Sequence, residues 1–378
     1  MRKSFIKTKV VAGLLASALF LSACGGGAAP AAPAAPAAPA APAAPAAPAA
    51  PADTPADAAG GTVILYSNAV SDGRGDWIIE RAMQDLGIEV QTVDLGGVAL
   101  ANRLIAERAN PIGDVIFGLN PMLWWQMEQE GILAPHVPPW ADEIPAGLNN
   151  PDGLWHAVIL IGNLLIYDTG QMSPEEAPSD WLELWENPEF HGRYVTPNAL
   201  TGSTVQMILS GIFARFLDEN GHLGVSDEGW SHIERKFRYA ALHTDQDMVV
   251  EIVSPIHDAV LSQMWSHGIP FREGVHGIEI GFVRPAIGVP FSIEGAALIN
   301  GAPNPEAAKR FIDWFGTAEV MHEFSDQFGF LPAHPGALPG LGGITLQVAE
   351  LTPQDIDWDV VSPLMPHWIE HIYLNYLG

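Results

Sequence analysis

The chain has 378 residues, 48% of them hydrophobic, and its 44 acids outnumber its 17 Lys and Arg for a formal charge of −27. That excess of acid excludes nucleic acid as a partner, because phosphates call for a basic footprint. A lone cysteine excludes an internal disulfide.

Residues 1–9 hold Arg2, Lys3, Lys7 and Lys9 and no acid, and residues 10–23 are apolar or small. A basic stretch followed by an apolar one is an export signal. The 14 apolar or small residues fall short of the ~20 that span a bilayer as a helix. Leu21-Ser22-Ala23-Cys24 resembles the lipobox of bacterial lipoproteins. That resemblance implies a signal over 1–23, lipid on Cys24, and a protein held outside the cytoplasm at the membrane through that lipid. Residues 28–51 are Ala-Ala-Pro eight times over. Proline fixes φ and keeps the residue before it out of the helical region, so residues 24–61 are expected to form a disordered spacer. As polyproline II, at ~3.1 Å per residue, the repeat reaches up to ~75 Å. Without the signal, 13 basic residues face the 44 acids.

From residue 62 strand and helix patterns alternate. "TVILYSN" predicts a strand, "GDWIIERAMQDLG" a helix stopped by Gly87, "IEVQTVDL" a strand and "VALANRLIAERAN" a helix. "GDVIFGLN" predicts a strand and "PMLWWQMEQEG" the helix after it. This order implies an α/β fold with a mostly parallel sheet, whose ligands bind beyond the strand ends. Those ends are Ser67-Asn68 and Asn120. "HAVILI" and "NLLIYDT" predict two further strands, "GRYVTPN" another, and "STVQMILSGIFARFLDENG" one long helix. "SDEGWSHIERKFRYAAL" predicts a helix capped by Ser226. "DAVLSQMW", "GIEIGFVRP" and "VPFSIEGAALIN" predict strands. "NPEAAKRFIDWFGTAEVMHEF" predicts one helix with Asn304 as cap and Pro305 in the first turn, and "HWIEHIYLNYL" the last.

Catalytic patterns are sparse and no cofactor pattern is present. His367-Trp368-Ile369-Glu370-His371 matches a zinc-hydrolase motif, but the seven residues after it hold no acid to complete the ligand set. Arg74-Gly75-Asp76 spells an adhesion tripeptide, yet it stands where a loop enters a helix, with Asp76 placed to cap. A binder of a small solute is the better reading. Trp265 follows a strand, as Trp124, Trp125 and Trp155 follow strand-end loops. Thr201, Ser203 and Thr204 open a helix, either as capping hydroxyls or as part of an anion site. Arg74 and Arg272 are the cations placed nearest a cleft. Glu294, within an apolar strand, is a ligand group or a buried partner for an arginine.

The lipobox, the spacer, "GDVIFGLN" and "VPFSIEGAALINGAPNPEAAKRFIDWFGTAEVMHEFSDQFGFLPAH" together resemble extracellular solute-binding proteins of ABC importers. More narrowly, they resemble the type 2 branch that includes iron, thiamine, polyamine and phosphonate binders. The resemblance implies two α/β lobes, residues 62–165 with 292–378 and residues 166–291, joined by crossings near Leu160–Tyr167 and Val289–Ile293. It implies a monomer that passes a small solute to the permease subunits. The ferric branch uses adjacent tyrosines near where Trp265-Ser266 stand here, and a histidine and glutamate near Val70 and Leu119. That departure turns the expectation toward an anionic or oxygen-rich solute, an iron complex or a phosphonate, over a polyamine or thiamine held by cation–π contact.

Overall fold

The computed structural model describes residues 60–377. The export signal, Cys24 and the Ala-Ala-Pro repeat lie outside the described residues.

The first β-α-β-α-β-α run forms as its periodicities predict. β1 (Thr62–Ser67) is followed by α1 (Arg74–Leu86), which buries Ile78 and Ala82 and ends at Gly87 with φ 66°. Asp76 does not cap α1; Gly73 precedes the helix at φ 85° and Asp76 sits in its first turn, where its charge faces the positive helix end. β2 (Glu89–Asp94), α2 (Gly97–Glu107), β3 (Val115–Gly118) and α3 (Pro121–Gln129) complete the run. β1 pairs in parallel with β2 on one side and β3 on the other. After the short β4 (Leu133–Ala134) comes β5 (His156–Asp168), one continuous 13-residue strand where two were expected.

The second part begins with α4 (Glu183–Glu186), β6 (Val195–Pro197) and α5 (Ser203–Phe213). The long helix expected here stops at Phe213. Residues 217–222 instead form β7 (Leu217–His222), which bridges to Val225 through a turn with Leu223 and Gly224 at positive φ. The Asp-Glu-Asn-Gly run lies within β7, and its residues favour a helix less than the apolar run before them. α6 (Asp227–Arg238) follows, capped by the Ser226 hydroxyl, which accepts from Gly229 N. Then come β8 (Leu242–Thr244), α7 (Met248–Ile252), β9 (Leu261–Trp265), α8 (Ile269–His276) and β10 (Ile280–Phe282). β11 (Phe291–Ile299) returns to the first sheet.

The helix expected next is two. α9 (Pro305–Phe315) and α10 (Ala318–Phe328) break at Gly316, where an added Cβ would lie 2.2 Å from the Trp140 ring. Asn304 stands at the α9 N-cap position, but its side chain donates to Asp114 at 3.1 Å rather than capping. β12 (Leu331–Pro332), α11 (Gly343–Ala349) and α12 (Trp358–Asn375) close the chain. No helix among the described residues is long and apolar enough to cross a membrane.

β5 is the crossing strand. Its first half pairs with β11 and β12, and its second half pairs with β9 and β10. The chain returns near Pro290, whose carbonyl accepts the Asn163 amide N–H at 3.0 Å. The sheet order β10-β5-β11-β3-β1-β2 therefore runs through both lobes. On one face of the first lobe Phe117, Phe311, Phe315 and Phe324 pack together, and on the other Tyr66, Leu104, Trp124 and Met127. Trp185, Tyr194, Phe213 and Trp230 build the core of the second lobe.

The C-terminal helix departs from expectation. Val361, Met365, Trp368 and Ile372 of α12 pack into the second core, although residues 292–378 were all expected with the first lobe. The Trp368 ring centre lies 4.3 Å from that of Phe213, the planes tilted by 32°, and its indole N–H donates to Leu223 O at 2.9 Å. α12 also packs against α3 of the first lobe, so it spans the two.

Candidate functional site

The strand ends are braced by their own side chains. Ser67 Oγ accepts from Ala69 N at 2.9 Å, turning the chain after β1. Asn68 Oδ1 accepts from Leu119 N at 2.7 Å, tying the end of β1 to the end of β3. Gly118 has φ 111°, and a Cβ there would meet Asn68 Oδ1 at 2.3 Å. Asn120 caps α3 by accepting from Leu123 N and donates through Nδ2 to Ser203 Oγ at 3.0 Å. Two residues singled out separately in the sequence thus meet across the lobes. Thr201 is exposed and Thr204 half-buried; α5 begins after Gly202 with no side-chain cap.

The cavity lies elsewhere. A cleft of about 740 Å³ opens between the β1–α1 turn, the end of α10, the start of α11 and the stretch from β9 into α8. Arg74, Trp265 and Arg272 all line it. Ser67, Asn68, Asn120, Thr201, Ser203, Thr204 and Glu294 are not on its wall. Trp124 and Trp155 stack on each other at 5.5 Å inside the first lobe; of the tryptophans considered, Trp265 is the one on the wall.

Each arginine is held in place. Arg74 Nε donates to Ala69 O at 2.8 Å, Nη1 is 3.6 Å from Asp72, and the guanidinium lies 5.7 Å from the Phe330 ring centre. Arg272 Nε donates to Asp247 Oδ2 at 2.6 Å, and its guanidinium is 5.4 Å from Trp265 and 5.1 Å from Phe271. Asp247 also caps α7 through Val249 N, so the loop that starts α7 orients Arg272.

Between the arginines sits His267, which sequence reasoning missed. Burial first, then the charges of Arg74 and Arg272, push it down to about 3. It is a neutral imidazole at physiological pH, and its Nδ1 has no hydrogen-bond partner among the described residues. Ser325, also on the wall, has a buried hydroxyl in the same position. His267 stands two residues after Trp265 in the stretch already singled out, so adjacency was the available signal. Ser325 lies within an ordinary helical pattern and carried none.

Glu294 lies behind this wall. It is 6% exposed, and burial pushes it up to about 8, only partly opposed by the Arg74 charge. Its Oε2 finds no partner among the described residues. At the positions compared with the ferric branch, Val70 and Leu119 are buried and apolar, and Ser266 Oγ accepts from Gly162 N at 3.2 Å.

The histidines of the zinc-hydrolase motif face different surroundings. His367 and Glu370 are exposed on α12, while the His371 ring turns toward His222. Among the described residues no three His, Cys, Asp or Glu side chains gather as a metal site.

The family model described as bacterial extracellular solute-binding protein matches residues 110–343. A probable ABC transporter periplasmic-binding protein of Sinorhizobium fredii, y4fP, is 32% identical over 83% of this chain and 86% of its own length. Among solved structures, Trichodesmium FutA in complex with iron and citrate ligands aligns with TM-score 0.68 and 18% identity, over 83% of this chain and 99% of that one. AfuA of Actinobacillus pleuropneumoniae, with fructose-6-phosphate bound, aligns with TM-score 0.67 and 18% identity over the same shares. At such identities these likenesses speak for the two-lobed fold.

Proposed function

This chain belongs to the bacterial extracellular solute-binding proteins, and on that premise we propose that it captures an anionic, oxygen-rich solute in the cleft of Arg74, Trp265 and Arg272. As a solute-binding protein of an ABC transporter it works outside the cytoplasm and delivers its solute to a permease. One observation carries the ligand class: two arginines converge on the cleft while the histidine between them is held neutral. A guanidinium offers planar paired donors to carboxylate or phosphate. A bare ferric ion would meet repulsion from the same charges, whereas iron carried in an anionic chelate would be attracted to them. The iron and citrate in the FutA structure and the sugar phosphate in AfuA are both oxygen-rich solutes. A polyamine or thiamine is disfavoured, because Arg272 already covers the Trp265 ring.

Residues 62–165 with 292–357 form one lobe, residues 166–291 with the last helix form the other, and they close about β5 and residues 289–293. Ser67 and Asn68 brace the strand ends, Asn120 and Ser203 latch the closed form, and Thr201 and Thr204 stand at its edge. Lipid on Cys24 and the spacer tether a monomer to the membrane.

A thermal-shift screen of the purified protein against iron–citrate, phosphonates, sugar phosphates, polyamines and thiamine tests the reading. A solute at 100 times its Kd stabilises the protein by ~2.7 kcal/mol. Stabilisation by an anionic solute that Arg74→Ala and Arg272→Ala each abolish is the expected outcome. A response to polyamine or thiamine alone would overturn the ligand class.

A further inference from the structure

His371 belongs to the one chemical motif that the cleft does not use, and the fold gives it a partner far away in the chain. His222, at the end of β7, and His371, on α12, are 149 positions apart. Their Nε2 and Nδ1 atoms lie 3.3 Å from each other, with ring centres at 4.8 Å. We propose that His222 and His371 form a binding site for a late first-row divalent cation, zinc, nickel or copper, with water completing the coordination.

The spacing suits the chemistry. Two imidazole nitrogens on one tetrahedral ion, each at ~2.05 Å, stand ~3.3 Å apart. The ion takes the place of the proton shared between the rings, and small ring rotations aim both lone pairs at it. That proton moves to the outer nitrogen of its own ring, so both ligands stay neutral. A donor set of imidazoles selects zinc, nickel or copper over calcium or magnesium.

The two rings are also held from outside. Trp230 packs 4.3 Å from His371 and donates its indole N–H to the His222 carbonyl at 2.8 Å. Asn375, one turn further along α12, donates to the His371 carbonyl at 2.8 Å, and its amide nitrogen, 3.3 Å from His371 Nδ1, turns aside when the ion binds. His222 is exposed, giving an ion from solvent a way in. None of these residues lines the cleft. A cation here would pin the C-terminal helix to the β7 turn, and thereby the element that spans both lobes.

Calorimetric titration of zinc or nickel chloride into the purified protein, prepared without a histidine tag at about pH 7.5, tests the site. One ion per chain and a raised melting temperature are expected. His222→Ala and His371→Ala should each weaken binding at least ~tenfold, while His367→Ala leaves it unchanged. His222 is exposed, so its variant keeps the fold. Unaltered binding in His222→Ala would overturn the proposal. So would a loss in His367→Ala equal to that in His371→Ala, which would give the ion to the helix pair, and so would no binding by the native protein.

Discussion

Glu294→Gln isolates a charge that burial disfavours. The carboxyl is buried, its Oε2 has no partner among the described residues, and its pKa rises from 4.5 to about 8. Between those values the folded protein keeps a proton that the unfolded chain has released. Stability contributed by this group therefore falls as pH rises, by ~1.4 kcal/mol per pH unit. Below the unfolded value both states are protonated and nothing is lost; above about 8 the whole penalty is present, ~5 kcal/mol. Glutamine has the shape of the neutral acid and no titration, so any packing difference it introduces is the same at every pH. Urea unfolding of both proteins from about pH 5 to pH 9 gives two stability curves, and their difference belongs to Glu294. The variant should gain on the native protein up to about pH 8 and hold that lead above it, by several kcal/mol in all. Parallel curves would refute the reasoning, because they would mean that Glu294 ionises in the fold as easily as in the unfolded chain.

The same carboxyl acts on the site. Ionised Glu294 competes with an anion for the Arg74 charge, so affinity for the anionic solute should fall as pH passes about 8 in the native protein and stay flat in Glu294→Gln, as binding isotherms would report. Asp247→Asn leaves the α7 cap acceptor in place but removes the charge that orients Arg272; solute affinity should change, with unfolding stability altered by ~1 kcal/mol or less. Trp368→Ala empties a fully buried site between α12 and Phe213, and denaturant unfolding should show a loss of ~3–5 kcal/mol. Gly118→Ala forces a side chain onto positive φ and into Asn68 Oδ1, a cost of ~1–3 kcal/mol in strain alone that chemical denaturation would detect.

Local signals carried a large part of this protein. Apolar periodicity and glycine stops marked the first three β-α pairs, and with them the α/β class, because a helix or strand must bury its own apolar side wherever it lies in the chain. Arg74 and Trp265 stand where legible elements begin and end, whereas Arg272 lies within α8, which no local pattern announced. What the sequence could not show was which elements face one another. Gly162 and Asn163 look like a break between two strands, yet partners on both sides keep β5 extended through them. Gly316 looks harmless in a helix until Trp140 occupies the space its side chain would need. His267 is an ordinary histidine until two arginines converge on it, and Glu294 an ordinary acid until the sheet closes over it. His371 pairs in sequence with His367 and in space with His222. Local pattern determines the elements because it is set by neighbours within a turn or two; burial, charge and the meeting of distant side chains depend on contacts that only the folded chain brings together.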